Sequence, residues 1–429
     1  MERRQIYKKY KKYFVPCLSP YYEEPLILDR GSGKYLYDIE GKEYLDFFGG
    51  LVTISVGHCD REITRKTYEQ MKRLQHTSTL YQNLPTISLA EKLAEITPGR
   101  LQKSFFTNSG TEAIETAILM GQLHTRSREI ISLRHSYSGA SSLAMNLSGL
   151  GSWRLVESLI PGIKHAHNAY CFRCPFGRKY PECDLRCAKD VKELIETTTS
   201  KHPAAFIAEP IQGLGGFITP PKEYFKEVVS IVRQYGGLFI CDEVQTGWGR
   251  TGGKWFGIEH WGVEPDIMVM AKGAANGLPV GITIATPEVG NSFKGLYIST
   301  FGGNPVIATA VQATIETIEK RKLLENAEIM GKYLRERLEG LKEKYPIIGE
   351  VRGMGLIQGI EVVKEKKEPA PDAVLRIFEM TKKKGLLIGK GGLFGNVIRL
   401  TPPLTIGRGD IDQAVQILDQ AFKKIQRSL

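Results

Sequence analysis

Short, unbroken apolar runs that each stop on a polar or glycine residue constrain this chain more than any other feature. Ser104-Phe-Phe106 leads into Thr107-Asn-Ser-Gly110, and Ala205-Phe-Ile-Ala208 into Glu209-Pro210. Leu238-Phe-Ile-Cys241 leads into Asp242-Glu243, and Ile267-Met-Val-Met-Ala271 into Lys272-Gly273. Runs of this length without alternation suit strands buried on both faces, as in a parallel sheet. Between them, residues 111–118 and 222–229 carry helical patterns. Strands alternating with helices over 61–303 predict a doubly wound α/β domain, its mostly parallel sheet sandwiched by helices.

After Gly303 the texture changes. Asn304-Pro305 can open a helix, proline being tolerated in the first turn, and Ile307, Val311, Ile315 and Ile318 then share one face. Met330, Leu334, Leu338 and Leu341 mark a second amphipathic helix that Pro346 ends. Strand-like pieces at 349–363 and 386–400 follow, so 304–429 read as a smaller α+β domain. Residues 1–60 read as an N-terminal arm plus hairpin strands at 26–46 that can join the smaller domain.

A chain of 429 residues buries a large core without needing disulfides or metal. No apolar run approaches the roughly 18 residues of a membrane helix. The basic start has no apolar stretch behind it, so a secretory leader is not expected and the cytoplasm is the expected compartment. Lysines and arginines number 58 against 47 acids, a formal +11. With no nucleic-acid-binding motif beside the charge, it reads as a solvated arm and a pocket for anionic substrates. Neither nucleic acid nor membrane is expected as a partner.

In an open parallel sheet, ligands bind beyond the carboxyl ends of the strands. The residues there are Ser109-Gly110-Thr111, Glu209, Asp242 and Lys272. Each has a plain reading: Ser109 or Thr111 as a helix cap, an acid as a solvated turn residue. Together they read as chemistry. A strand-to-helix turn favours an anion. A lysine ending an apolar strand loses solvation, which lowers its pKa and frees a nucleophilic amine suited to a Schiff base. Pyridoxal phosphate supplies both the aldehyde and the phosphate, and Asp242 is the acid that would keep its pyridine nitrogen protonated.

These residues stand in phrases that resemble the class III pyridoxal-phosphate aminotransferases of fold type I over nearly the full length. The phrases are Asn108-Ser-Gly-Thr-Glu-Ala113, Glu209-Pro-Ile-Gln-Gly213, Asp242-Glu-Val-Gln-Thr-Gly-Trp-Gly-Arg-Thr-Gly252, Met270-Ala-Lys-Gly273 and Ser299-Thr-Phe-Gly-Gly-Asn-Pro305. Gly50-Leu-Val-Thr-Ile-Ser-Val-Gly-His58, Leu74-Gln-His-Thr-Ser78 and Gly385-Leu-Leu-Ile-Gly-Lys-Gly-Gly392 are similar to the alanine–glyoxylate aminotransferase 2 branch. The resemblance implies that Lys272 holds the cofactor and moves the proton, and that Asp242 pairs with the pyridinium. It implies that Val244 and Tyr137 sandwich the ring, Gln245 bonds its O3′, and Ser109, Gly110 and Thr111 hold the phosphate. Glu209 would support the site, and Arg399 would clamp the substrate α-carboxylate. Thr300 would reach the phosphate of a neighbouring subunit, making a homodimer, or a dimer of dimers, the active form. An amino donor and a 2-oxo acid acceptor are the implied small-molecule partners. The alternative within the class is a phospho-lyase acting on phosphorylated amino alcohols or phosphohydroxylysine.

Departures from that pattern narrow the substrate. Ornithine- and 4-aminobutyrate-type members carry an arginine where this chain has Ala140, and a glutamate masking the carboxylate arginine where it has Leu214. Ser138 stands where a histidine is usual. An unmasked Arg399 suits alanine, glyoxylate, pyruvate or small ω-amino acids. Leu51, Val52 and Trp153 are the expected pocket wall.

Four of the seven cysteines form Cys171-x2-Cys174-x8-Cys183-x3-Cys187. Two close pairs suit a structural zinc or iron–sulfur site; disulfides and free thiols fit the same spacing. Arg173, Arg178, Lys179 and Arg186 are expected to favour thiolates there.

Overall fold

The computed structural model describes residues 3–18, 20–156 and 160–426. Its centre is a seven-stranded sheet. In chain order the strands are β1 (Lys103–Thr107), β2 (Ile130–Leu133), β3 (Ile163–Ala166), β4 (Ala205–Ala208), β5 (Leu238–Asp242), β6 (Ile267–Met270) and β7 (Gly281–Ala285). Their order across the sheet is β1-β7-β6-β5-β4-β2-β3. Only β7 runs antiparallel to its neighbours, β1 and β6; the remaining pairs are parallel. Six carboxyl ends therefore share one edge with the amino end of β7.

Alternate residues of one strand feed opposite cores, which is why the apolar runs do not alternate. Met268 and Met270 of β6 join one cluster, with Phe225, Val228 and Val232 of the helix Tyr224–Gln234. Ile267 and Val269 join the other, with Ala113, Ile114, Ala117 and Ile118 of the helix Gly110–Thr125. All of these are at most 3% exposed.

Two four-stranded sheets flank this domain. In one, the meander Leu28–Ser32, Tyr35–Asp38 and Glu43–Asp46 gains Leu386–Leu387 as a parallel fourth strand, so the two ends of the chain meet. In the other, Val397–Leu400 lies between Ile357–Val362 and Gly389–Gly391. That register carries Arg399 on a central strand between Gly359 and Gly389. The helix Pro305–Lys320 starts where Asn304 accepts the Val306 and Ile307 N–H groups at 3.1 Å each. The basic helix Arg3–Tyr13 has no buried residue, as a solvated arm would. Among the described residues no helix is long and apolar enough to cross a membrane.

Candidate active site

The shared edge opens into a cavity of about 460 Å3. Ser109, Gly110, Thr111, Tyr137, Glu209, Asp242, Val244, Gln245, Lys272 and Arg399 all line it, so residues spread over nearly 300 positions of sequence converge on one space. Thr300 does not line it; it is exposed on the surface.

The helix Gly110–Thr125 aims its N-terminus at the cavity. Ser109 is its cap, accepting the Glu112 N–H at 3.2 Å, so the side chain takes the plain role weighed for it. The Gly110 and Thr111 N–H groups lie in the first turn, where no intrahelical acceptor exists. With the helix dipole behind them they form a seat for an anion. Two glycines let other loops close around that seat. A Cβ on Gly110 would stand 3.3 Å from both Val244 methyls, and one on Gly139 (φ +135°) would stand 2.4 Å from Thr111 Oγ1. The second loop is tied down by the Ala140 N–H, which donates to Thr111 Oγ1 at 3.3 Å.

Lys272 follows β6 with φ +46°, a conformation costing roughly 1–2 kcal/mol outside glycine. Burial lowers its amine to about 8, with Arg399 pushing the same way and Asp242 and Glu209 opposing. Burial also raises the Asp242 carboxyl above its ordinary range, against the Val244 N–H, which donates to Oδ1 at 3.0 Å, and the lysine charge. Glu209 is raised by burial and by Asp242, while its oxygens accept the Gly213 N–H at 2.8 Å and the Tyr137 N–H at 3.2 Å. It braces two loops of the site from behind. Tyr137 meets Trp153 edge-on, ring centres 5.4 Å apart.

Arg399 is 1% exposed. Its Nη2 donates to Gln245 Oε1 at 2.6 Å, and its Nε has no partner among the described residues. The Phe217 ring lies 4.6 Å from the guanidinium carbon. A buried cation with a neutral partner and an idle donor is suited to an entering carboxylate.

Residues 19–422 match the class-III aminotransferase family. The chain belongs to that family. This aminotransferase is 42% identical over 426 residues to alanine–glyoxylate aminotransferase 2 homolog 2, mitochondrial, of Arabidopsis thaliana, with 98% of this chain and 87% of that protein covered. It is 37% identical over 434 residues to leucine/methionine racemase of Thermococcus litoralis, covering 99% and 97%. A solved amine transaminase from an uncultivated Pseudomonas species, in its PLP-bound form, matches with a TM-score of 0.90 at 30% identity, covering 96% of this chain and 98% of that one. The fold is that of the pyridoxal-phosphate transaminases, and the cofactor is pyridoxal phosphate. The residues present fit it: an anion seat at a helix N-terminus, an amine of lowered pKa, and a buried acid beyond the same strand edge.

Two expectations change. Val52 is buried at 3% and does not line the cavity; Leu51, Thr53 and Trp153 do. Left-handed backbone at Gly50 and Leu51 (φ 58° and 67°) turns the segment so that Thr53 faces inward. The cysteines differ more. Cys171, Cys174, Cys183 and Cys187 line one cavity of only about 20 Å3, all as free thiols. Among the described residues no three histidine, cysteine or acidic side chains are grouped to hold a metal ion. Nor do the basic neighbours favour thiolates at two of them: partial desolvation raises Cys171 to about 11 and Cys187 to about 12. Arg173 is spent on Glu361, its Nε 2.6 Å from Oε1, and Arg186 lies over the Phe176 ring.

Sequence reasoning missed Asn108, Ile114 and the stretch 277–280 as cavity lining. The last precedes β7, and only an antiparallel β7 brings it to this edge. The signal was there in Leu278-Pro279-Val280 before an apolar run, but it counts only once that strand's direction is known.

Proposed function

We propose that this transaminase takes its amino group from alanine or a small ω-amino acid and passes it to pyruvate or glyoxylate. The observation carrying the reading is Arg399, buried beside Lys272's cavity with Leu214 where a masking acid would stand. When bound, pyridoxal phosphate supplies an aldehyde to receive the amino group and a ring that accepts the electron pair left at the substrate carbon. Gly110 and Thr111 would hold its phosphate with backbone N–H groups, and Asp242 would keep a proton at its pyridine nitrogen. Val244 and Tyr137, which line the cavity, would enclose the ring, and Gln245 is within the same wall. Lys272 would be the amine that holds the aldehyde, and as a free amine it is the base in this cavity that would move a proton at the substrate carbon. Arg399 fixes the donor by its carboxylate, while Leu51, Trp153 and Tyr137 keep water out.

We also infer a homodimer. The segment 296–301 adjoins the site through Asn108 Nδ2, which donates to Ser299 Oγ at 3.3 Å. Its Leu296, Ile298 and Phe301 are exposed, an apolar surface that a second copy would cover, with Thr300 among them to reach the copy's phosphate.

The test is the half-reaction of holoenzyme with alanine in the absence of acceptor. Conversion of the cofactor's aldehyde absorption to that of its amine form, with one pyruvate per site, is expected. Exchange of L- and D-alanine without the amine form, or release of ammonia and phosphate from a phosphorylated amine, would overturn the reading.

A further inference from the structure

Among the described residues, the one hydrogen-bonding partner of the Arg399 side chain is uncharged. Nη2 rests on Gln245 Oε1 at 2.6 Å, both residues are buried, and Glu209 acts on the guanidinium only through space. The amide packs closely against a glycine. A Cβ on Gly213 would stand 2.2 Å from Gln245 Nε2 and 2.4 Å from Oε1, so the amide lies flat on the Gly213 backbone. Gly391 makes room on the other side, where a Cβ would stand 2.7 Å from Arg399 Cδ and 2.8 Å from the Leu214 carbonyl oxygen. One Nη2–amide bond is thus made while Nε stays idle.

A buried guanidinium held by a carboxylate would be neutralised, and an incoming substrate carboxylate would have to break a charged pair. One held by an amide keeps its charge and surrenders a weaker bond. We propose that the Gln245 amide oxygen is a displaceable, neutral occupant of the carboxylate seat of Arg399, which makes Gln245 a specificity-determining residue. With a carboxylate-free primary amine in the cavity, Gln245 stays on Nη2 and the cation remains partnered. With an amino or oxo acid, the carboxylate takes Nη2 and the idle Nε as a two-pronged pair, and the amide oxygen gives up Nη2. A single pocket therefore serves both donor classes without an acid that must be moved. This rests on the reading that Arg399 receives the substrate carboxylate.

The probe is propionate, which carries the carboxylate but no amine and cannot react. Its dissociation constant is measured by titrating holoenzyme calorimetrically. Arg399→Ala tests the underlying reading: binding should weaken by about tenfold or more, and an unchanged constant would overturn that reading. Gln245 is tested separately. Gln245→Ala removes the competitor, so propionate should bind about threefold tighter or better. A merely structural glutamine would give weaker binding on removal, and that result, or no change, overturns the proposal. Gln245→Glu has the same shape and adds a charge, so propionate should bind about tenfold more weakly. The kcat/KM for alanine should fall about tenfold further than that for ethylamine, alanine without its carboxylate, because any effect of the variant on the cofactor is common to both donors. Equal loss for both donors overturns the proposal as well.

Discussion

The strand-end cavity and the cysteine-rich insert are both dense in reactive side chains, and the same force acts on each with opposite chemical result. Burial disfavours charge. At Lys272 this brings an amine down to about 8, where an appreciable fraction is neutral and nucleophilic near physiological pH. At Cys171 and Cys187 it takes thiols up to about 11 and 12, where almost none is thiolate. Opposite charges then restrain the effect in the cavity, where Asp242 and Glu209 face the lysine. In the insert the neighbours are further thiols, which add to it. Desolvation activates Lys272 and silences Cys171 and Cys187.

The largest effect that would break this contrast is at Lys272. Lys272→Ala should lower turnover with alanine by about 10³-fold or more, since proton transfer and the covalent step both go; steady-state kinetics checks it. Asp242→Asn should cost about 10²–10³-fold in kcat, the scale of losing one electrostatic contact to developing charge. Near-normal activity would show that burial of this acid has no chemical purpose.

Arg399→Ala should reduce kcat/KM for alanine about 10–100-fold, from a charge-assisted contact of ~1.5–3 kcal/mol, and should spare ethylamine. The lowered lysine pKa gives a further test in apo-enzyme. The neutral amine attacks the aldehyde, so uptake of pyridoxal phosphate should speed up as pH rises through about 8 and then level off. Between pH 7 and pH 9 the gain should be about tenfold, against about a hundredfold for a lysine of ordinary pKa. The smallest effect belongs to the insert. Replacing Cys171, Cys174, Cys183 and Cys187 together by serine should leave kcat/KM within about twofold, because none of them lines the active-site cavity. In the wild type, thiol-reagent kinetics at pH 8 should find Cys171 and Cys187 slower than a free cysteine.

Legibility in the sequence followed the same divide. Glu209, Asp242 and Lys272 could be read because each ends an apolar run, and parallel strands put such ends at one edge. β3 could not: Ile163-Lys-His-Ala166 is an outer strand with three of four residues only partly buried, so no apolar run marks it. The stretch 277–280 was hidden by the reversed direction of β7. Val52 and Thr53 exchanged places because a run of left-handed backbone from Gly49 to Val52 breaks any simple periodicity. The Gln245–Arg399 bond joins residues 154 positions apart, and nothing local in either segment announces it. The cysteine spacing was fully visible, yet spacing says nothing about whether neighbouring arginines turn toward the thiols, and here Arg173 turns to Glu361.

The central claim is that Lys272, out of all the lysines in a basic chain, is the one burial has made into the amine that carries the cofactor. Reduction of holoenzyme with borohydride, followed by peptide mapping, tests it directly. The account predicts one pyridoxyl group per chain, on Lys272. A pyridoxyl group on any other lysine, with Lys272 unmodified, would contradict it.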